Sequence, residues 1–95
     1  MIERHIPFRI QPGQADAFER FFVDRYRPTM STHAGYVRAE LLRVADDPTQ
    51  FEMILRWRDA EAATGWRTSE THVALQPALA ELASGGEVAV YDVVA

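Results

Sequence analysis

Two neighbouring segments with apolar side chains on both faces set the strongest constraint on this chain. In Tyr36–Ala45, Val37, Ala39 and Leu41 alternate with Tyr36, Leu42 and Val44. In Gln50–Arg58, Phe51, Met53, Leu55 and Trp57 hold the odd positions, and Ile54 sits among Glu52, Arg56 and Arg58 on the even ones. A period of two reads as strand, and Asp46-Asp47-Pro48-Thr49 between them is good turn chemistry, so the pair predicts an antiparallel hairpin. Both faces of that hairpin need covering.

The flanking segments supply one cover. Ile2, Ile6, Phe8 and Ile10 share a face of a first strand, interrupted by Arg4, which is expected to lie near the sheet's end and reach outward. Pro7 cannot donate to a ladder and predicts an edge or a bulge. After Gln11-Pro12-Gly13, the stripe Ala15, Phe18, Phe22 and Arg25, with Phe21 and Tyr26 beside it, predicts a helix kinked at Pro28 and running to about His33. Gly35 suits a left-handed cap. Asp59 caps a short helix through Trp66; Ser69 caps a second one carrying Val73, Leu75, Leu79 and Leu82, with an irregularity at Pro77. Ser84-Gly85-Gly86 is read as its stop, and Glu87–Val94 as the final strand.

Strand–helix–strand occurs twice. The expected fold is α+β, a ferredoxin-like βαββαβ domain over residues 1–95 with a four-stranded antiparallel sheet and helices on one face. The uncovered face predicts a homodimer with sheets packed together, which places Arg38 and Glu40 at the interface as an ion pair.

Composition narrows the function. There is no cysteine, which excludes disulfides, thiolate nucleophiles, iron–sulfur clusters and Cys-type zinc sites. All ten basic residues are Arg; seven face seven acids in residues 1–48, and three face seven in residues 49–95. With a net charge of −4 and no basic half, no nucleic acid is expected as partner. No apolar run is long enough to span a membrane, and a cytoplasmic location is expected. Walker, G-x-S-x-G and G-x-G-x-x-G patterns are missing. His5, His33 and His72 fall on separate elements without metal-ligand spacing, so no metal is expected; His33 is read as solvated and His5 as facing away from the core.

One constellation remains: RWRDAEAATGWRTSETH, from Arg56 to His72. Trp57 ends a strand, Trp66 follows in the next helix, and His72 opens the one after. Two indoles and an imidazole can surround one space between sheet and helices. Together with Ala34-Gly35-Tyr36 at the start of the second strand and the Ser69-x-x-His72 spacing, this stretch resembles the antibiotic biosynthesis monooxygenase family, part of the superfamily of dimeric α+β barrels. The resemblance covers Phe8 to Val94. That superfamily holds oxygenases, haem-degrading enzymes, isomerases and cyclases, so the resemblance implies the fold more sharply than the reaction.

Its branches match unevenly. Where haem-degrading members carry an asparagine this chain has Ile6, and where they carry a histidine ligand it has Leu75 and Gln76; only Trp66 matches, so no haem and no other cofactor is expected. Against members that oxidise aromatic polyketides without a cofactor, Trp57 matches a pocket tryptophan, while the partner asparagine and tyrosine fall on Met53 and Ala63. Trp66 and His72 coincide with pocket histidines of a further branch. The site implied has His72 and Trp66 as catalytic residues and Trp57, Met53, Ile6 and Phe8 as substrate-binding ones.

A dry pocket of this kind suits oxygen chemistry. Triplet dioxygen reacts slowly with closed-shell molecules, but a phenolate or enolate can give it one electron. A neutral imidazole, with an ordinary pKa of about 6.5, can generate that anion. The expected activity is a cofactor-independent monooxygenase acting on an aromatic or enolisable small molecule. Two alternatives share the pocket: a non-redox isomerase or cyclase, and a non-catalytic dimeric ligand-binding protein.

Overall fold

The computed structural model describes all residues from Met1 to Ala95. Strand β1 (Ile2–Ile10) lies at the centre of an antiparallel sheet. On one side it pairs with β3 (Gln50–Trp57), which pairs in turn with β2 (Tyr36–Arg43). Helices α1 (Ala15–Phe21), α2 (Arg27–Met30), α3 (Ala60–Arg67) and α4 (Glu70–Leu82) supply the other layer. This is the ferredoxin-like α+β arrangement that the doubled strand–helix–strand pattern predicts. No helix is long and apolar enough to cross a membrane.

On its other side β1 meets two short strands rather than one. β4 (Ala83–Gly85) pairs with Phe8–Ile10, and β5 (Ala89–Asp92) pairs with Ile2–His5. The Ser84-Gly85-Gly86 segment is therefore not a simple helix stop: it is partly strand, and the last strand is shorter than Glu87–Val94. Pro7 explains the break. Gly86 N–H donates to the Pro7 carbonyl at 2.8 Å, so the proline's ring nitrogen, with no hydrogen to give, turns toward the gap between β4 and β5. Pro7 thus sits in the central strand, and the irregularity it imposes falls on its neighbour.

The first helix holds a second correction. Between α1 and α2 the chain makes a π-helical turn, Phe22–Tyr26, closed by Arg27 N–H on the Phe22 carbonyl. Pro28 follows directly. It cannot donate, and its ring would crowd the carbonyl four residues back, so the widened turn immediately before it takes up the misfit. The extra residue advances the buried stripe: Phe18, Phe22, Tyr26 and Met30 are buried, and Arg25 is exposed. The helix ends at Met30, and Gly35, at φ 82°, takes the left-handed turn into β2.

β2 contains a bulge between Tyr36 and Arg38. It shifts the alternation by one residue, so Tyr36 joins Ala39 and Leu41 beneath the helices and Val37 is expelled to solvent. Arg38 and Glu40 do share the open face with Leu42, 3.6 Å apart, while Tyr36 packs edge-on against Trp57 with centroids 5.9 Å apart. The open face is more polar than the sequence pattern suggests. Glu3 accepts from Arg56 Nε at 2.7 Å and meets His5 Nε2 at 2.8 Å, and His5 packs against Tyr91.

Candidate functional site

Both helix caps that frame the site are legible in the sequence. Asp59 accepts from Ala62 N–H at 2.8 Å and starts α3, which carries Trp66. Ser69 accepts from the backbone N–H of His72 at 3.1 Å and donates to the Trp66 carbonyl at 2.7 Å. One hydroxyl therefore ties the end of α3 to the first turn of α4. That is why an indole and an imidazole six positions apart meet: the Trp66 and His72 rings stand nearly perpendicular with centroids 5.0 Å apart.

Around them lies a wider aromatic cluster. Trp57 stacks on Trp66 at 6.4 Å, Tyr26 meets Trp66 edge-on at 5.6 Å, and His33 packs against its other side at 4.9 Å. His33 is half-buried, bonded through Nε2 to Thr71 Oγ1 at 2.9 Å, and not the solvated loop residue expected. Trp66 Nε1 approaches the Tyr26 hydroxyl without the alignment of a full hydrogen bond. Together with Trp57 Nε1 and His72 Nδ1 it is a buried polar atom with no partner.

A cavity of about 390 Å³ opens beside this cluster, lined by Ile6, Phe8, Tyr26, His72, Gln76 and Leu79, and by Ala80 and Ala83–Gly85. β4 itself, Ala83–Gly85, forms one of its walls. Three expected site residues, His72, Ile6 and Phe8, face it. Three do not. Trp57 and Met53 are fully buried in the core, and Trp66 stands behind His72, touching solvent only through an outer cleft beside His33. Large apolar side chains on the helix face of a central strand are consumed by packing, and no cavity reaches them. The sequence does not single out Tyr26 or Gln76 as site residues. Gln76 is signalled by its position one helical turn from His72; Tyr26 reaches the cavity through the π-turn, which no periodicity shows.

The chemistry of the cavity centres on His72. Its pKa is held below the ordinary value of about 6.5, first by burial and then, among smaller effects, by the charges of Arg4, Arg67 and His33; the Arg67 backbone carbonyl works the other way. Near pH 7 the ring is neutral. Gln76 Nε2 lies 3.1 Å from Nε2 of His72 and donates to it, which assigns the ring proton to Nδ1 and leaves Nε2 as the basic atom. Tyr26 remains a neutral phenol: burial pushes it up to about 12, although the Trp66 N–H and the Arg4 charge both pull it down. A larger hollow of about 600 Å³ lies between β2 and the π-turn, but its one carboxylate, Glu19, is engaged with Arg43 at 4.0 Å. No three histidine and carboxylate groups converge as metal ligands would.

A helical layer on a broken antiparallel sheet, with a histidine on the wall of a mostly apolar cavity, defines a ferredoxin-like domain with room for a small ligand. The chain belongs to the antibiotic biosynthesis monooxygenase family, whose model matches residues 1–78. Among solved structures it is similar to SnoaB, a cofactor-independent oxygenase from Streptomyces nogalater, with a TM-score of 0.87 at 21% identity over 99% of this chain and 93% of that one. It is equally close to HapK from Hahella chejuensis, TM-score 0.87 at 20% identity over 99% and 93% of the two chains. A putative antibiotic biosynthesis monooxygenase from Nitrosomonas europaea matches over 100% of both chains with a TM-score of 0.84 and 16% identity. No curated protein matches the sequence significantly.

Proposed function

We propose that this protein is a cofactor-independent monooxygenase of an aromatic or enolisable small molecule, with His72 as its base. The observation that carries the reading is the neutral, half-buried imidazole on the wall of an otherwise mostly apolar cavity. Family membership and the likeness to a cofactor-independent oxygenase support it.

In this reading the substrate displaces the Gln76 amide from His72 Nε2, whose single lone pair then takes the proton of an activated C–H or O–H. The resulting anion passes one electron to dioxygen, and recombination forms a C–O bond. His72 returns the proton to the peroxide. For a CH₂ substrate, O–O cleavage then leaves a carbonyl and water, so one O₂ is consumed for each ketone and no external reductant is needed. Ile6, Phe8 and Leu79 exclude water, which strengthens the polar contacts of the anion. Trp66 acts through His72, holding its ring, without touching substrate.

The test uses anthrone, an enolisable aromatic ketone, in an oxygen electrode. The expected result is oxygen uptake matched to product, slowed about a hundredfold or more in His72→Ala with an unchanged circular dichroism spectrum. An unchanged rate removes His72 from the mechanism. Conversion without oxygen uptake transfers the site to an isomerase or cyclase, and saturable binding with no product makes it a binding module.

We infer that a second copy of the chain covers the open sheet face. Half-exposed Leu42 and Tyr91 leave apolar surface there beside the internally paired charges of Glu3, His5 and Arg56, surface that a second sheet would bury. Sedimentation velocity at micromolar concentration is expected to give a dimer; a monomer rejects the arrangement.

A further inference from the structure

Arg4 is the one charged side chain among the helix-facing residues Ile2, Arg4, Ile6, Phe8 and Ile10 of β1, and it does not lie outward at the sheet's end as expected. Its partner across β3 is Leu55, which is fully buried, and across β5 it is Val90. Most other arginines have partners: Arg38, Arg43, Arg56 and Arg58 meet carboxylates, and Arg25 and Arg27 lie over aromatic rings. Arg4, Arg9, Arg20 and Arg67 have neither kind, and of these only Arg4 is partly buried, the other three being exposed. A cation taken out of water without a counter-charge is costly to keep.

Arg4 shares a hollow of about 290 Å³ with Arg67, the last residue of α3. The remaining walls are Ile2, Ala60, Ala63, Thr64, Val88 and Val90, with no carboxylate among them. Burial and the neighbouring Arg67 both work against the Arg4 charge, although a guanidinium keeps its proton. Two arginines lining one hollow with otherwise mostly aliphatic walls are matched by a planar anion on an apolar body. The hollow and the His72 cavity have no lining residue in common but lie under one face of β1: Ile6 lines one and Arg4 the other, about 7 Å apart along the strand. The overall net charge is −4, so this positive spot stands out locally.

We propose that Arg4 and Arg67 form a carboxylate subsite, so that the ligand of this protein is a small aromatic acid whose ring enters the His72 cavity. The ring's reaction rests on the oxygenase reading; the carboxylate contact does not.

Titration calorimetry separates the two. The probes are 1-hydroxy-2-naphthoate, 1-naphthol and inorganic phosphate. Charge-assisted bonds to two guanidiniums are expected to make the naphthoate bind at least about tenfold tighter than the naphthol. Arg4→Gln is expected to abolish that ratio, and exposed Arg67→Gln, which tests the subsite should Arg4→Gln fail to fold, to reduce it severalfold. Arg9→Gln, which removes the same charge from the open face, leaves it intact. Equal affinity for naphthoate and naphthol, or a ratio that survives both Arg4→Gln and Arg67→Gln, overturns the proposal. So does phosphate displacing the naphthoate at equal concentration, which would make the hollow a general anion site. Oxygen is not involved, so failure of the oxygenase reading leaves this result unaffected.

Discussion

Trp66 stands edge-on to His72, ring centroids 5.0 Å apart, yet only His72 reaches the cavity. The indole is a support for the imidazole, wedged between Trp57, Tyr26 and His33. Trp66→Ala is expected to cost about 3–5 kcal/mol of stability, as deletion of a fully packed tryptophan does. Trp66→Phe keeps a ring against His72 and removes an indole N–H that has no hydrogen-bond partner, so it is expected to cost less than about half as much. Urea unfolding of the two variants checks the ordering.

The burial that keeps His72 neutral also sets the pH dependence. Its folded pKa lies below its unfolded one, so on acidification the unfolded chain takes the proton first. That contribution to stability is complete above about pH 6.5 and is lost as pH falls from there toward the folded pKa. The acid limb of kcat/KM is expected to have its midpoint below about pH 6.5 for the same reason. Glu3 contributes in a lower window. Its carboxyl is held below the usual 4.5 by the His5 hydrogen bond first and Arg56 second, and its share disappears only as pH falls from there through its folded pKa. Denaturant midpoints between about pH 7 and pH 5 therefore isolate His72 from Glu3, and His72→Gln is expected to flatten that slope.

What could be read from the sequence was set by local chemistry. Asp59 and Ser69 announce their helices because a side-chain oxygen capping an N-terminus is an interaction within four residues. Alternation placed Phe8, Phe51 and Leu55 correctly for the same reason. Departures came where one extra residue changes everything after it. The bulge at Val37 moved Tyr36 to the other face, and the π-turn before Pro28 buried Tyr26 in place of Arg25. The site was half legible. His72 and Ile6 lie on elements whose faces could be counted, whereas Tyr26 and His33 were brought to it by tertiary packing. Trp57 and Met53 resembled pocket residues, but an apolar side chain on a central strand looks the same in sequence whether it lines a cavity or fills one.

Ser69 joins α3 to α4 through a single hydroxyl, accepting from His72 N–H at 3.1 Å and donating to the Trp66 carbonyl at 2.7 Å. Ser69→Ala removes both bonds. The expected loss is about 1 kcal/mol, typical of an N-cap, together with lower activity as His72 loosens. Ser69→Asp restores the acceptor but not the donor, and an acid at a helix N-terminus is favourable. Thermal melts are expected to show Ser69→Asp recovering most of the stability lost by Ser69→Ala; equal losses for both would put the weight on the bond to Trp66.

Gly35 carries two demands at once. Its φ of 82° is left-handed, and a β-carbon there would collide with that of Ala62 in α3. Its carbonyl also accepts from Arg58 N–H at 2.8 Å, so the turn fixes where α3 leaves the sheet. Gly13 is the natural control: φ is 77° but no atom lies near the position of an added β-carbon. Gly13→Ala is expected to cost about 1–2 kcal/mol from backbone strain alone. Gly35→Ala adds a packing clash of about 1–3 kcal/mol. Pairing Gly35→Ala with Ala62→Gly removes the clash while adding about 1 kcal/mol for a glycine within a helix. In a double-mutant cycle read by urea unfolding, the two changes are expected to cost less together than their sum. Strict additivity would mean that α3 shifts to accommodate the methyl, and that its seat on the turn is softer than the contact with Ala62 implies.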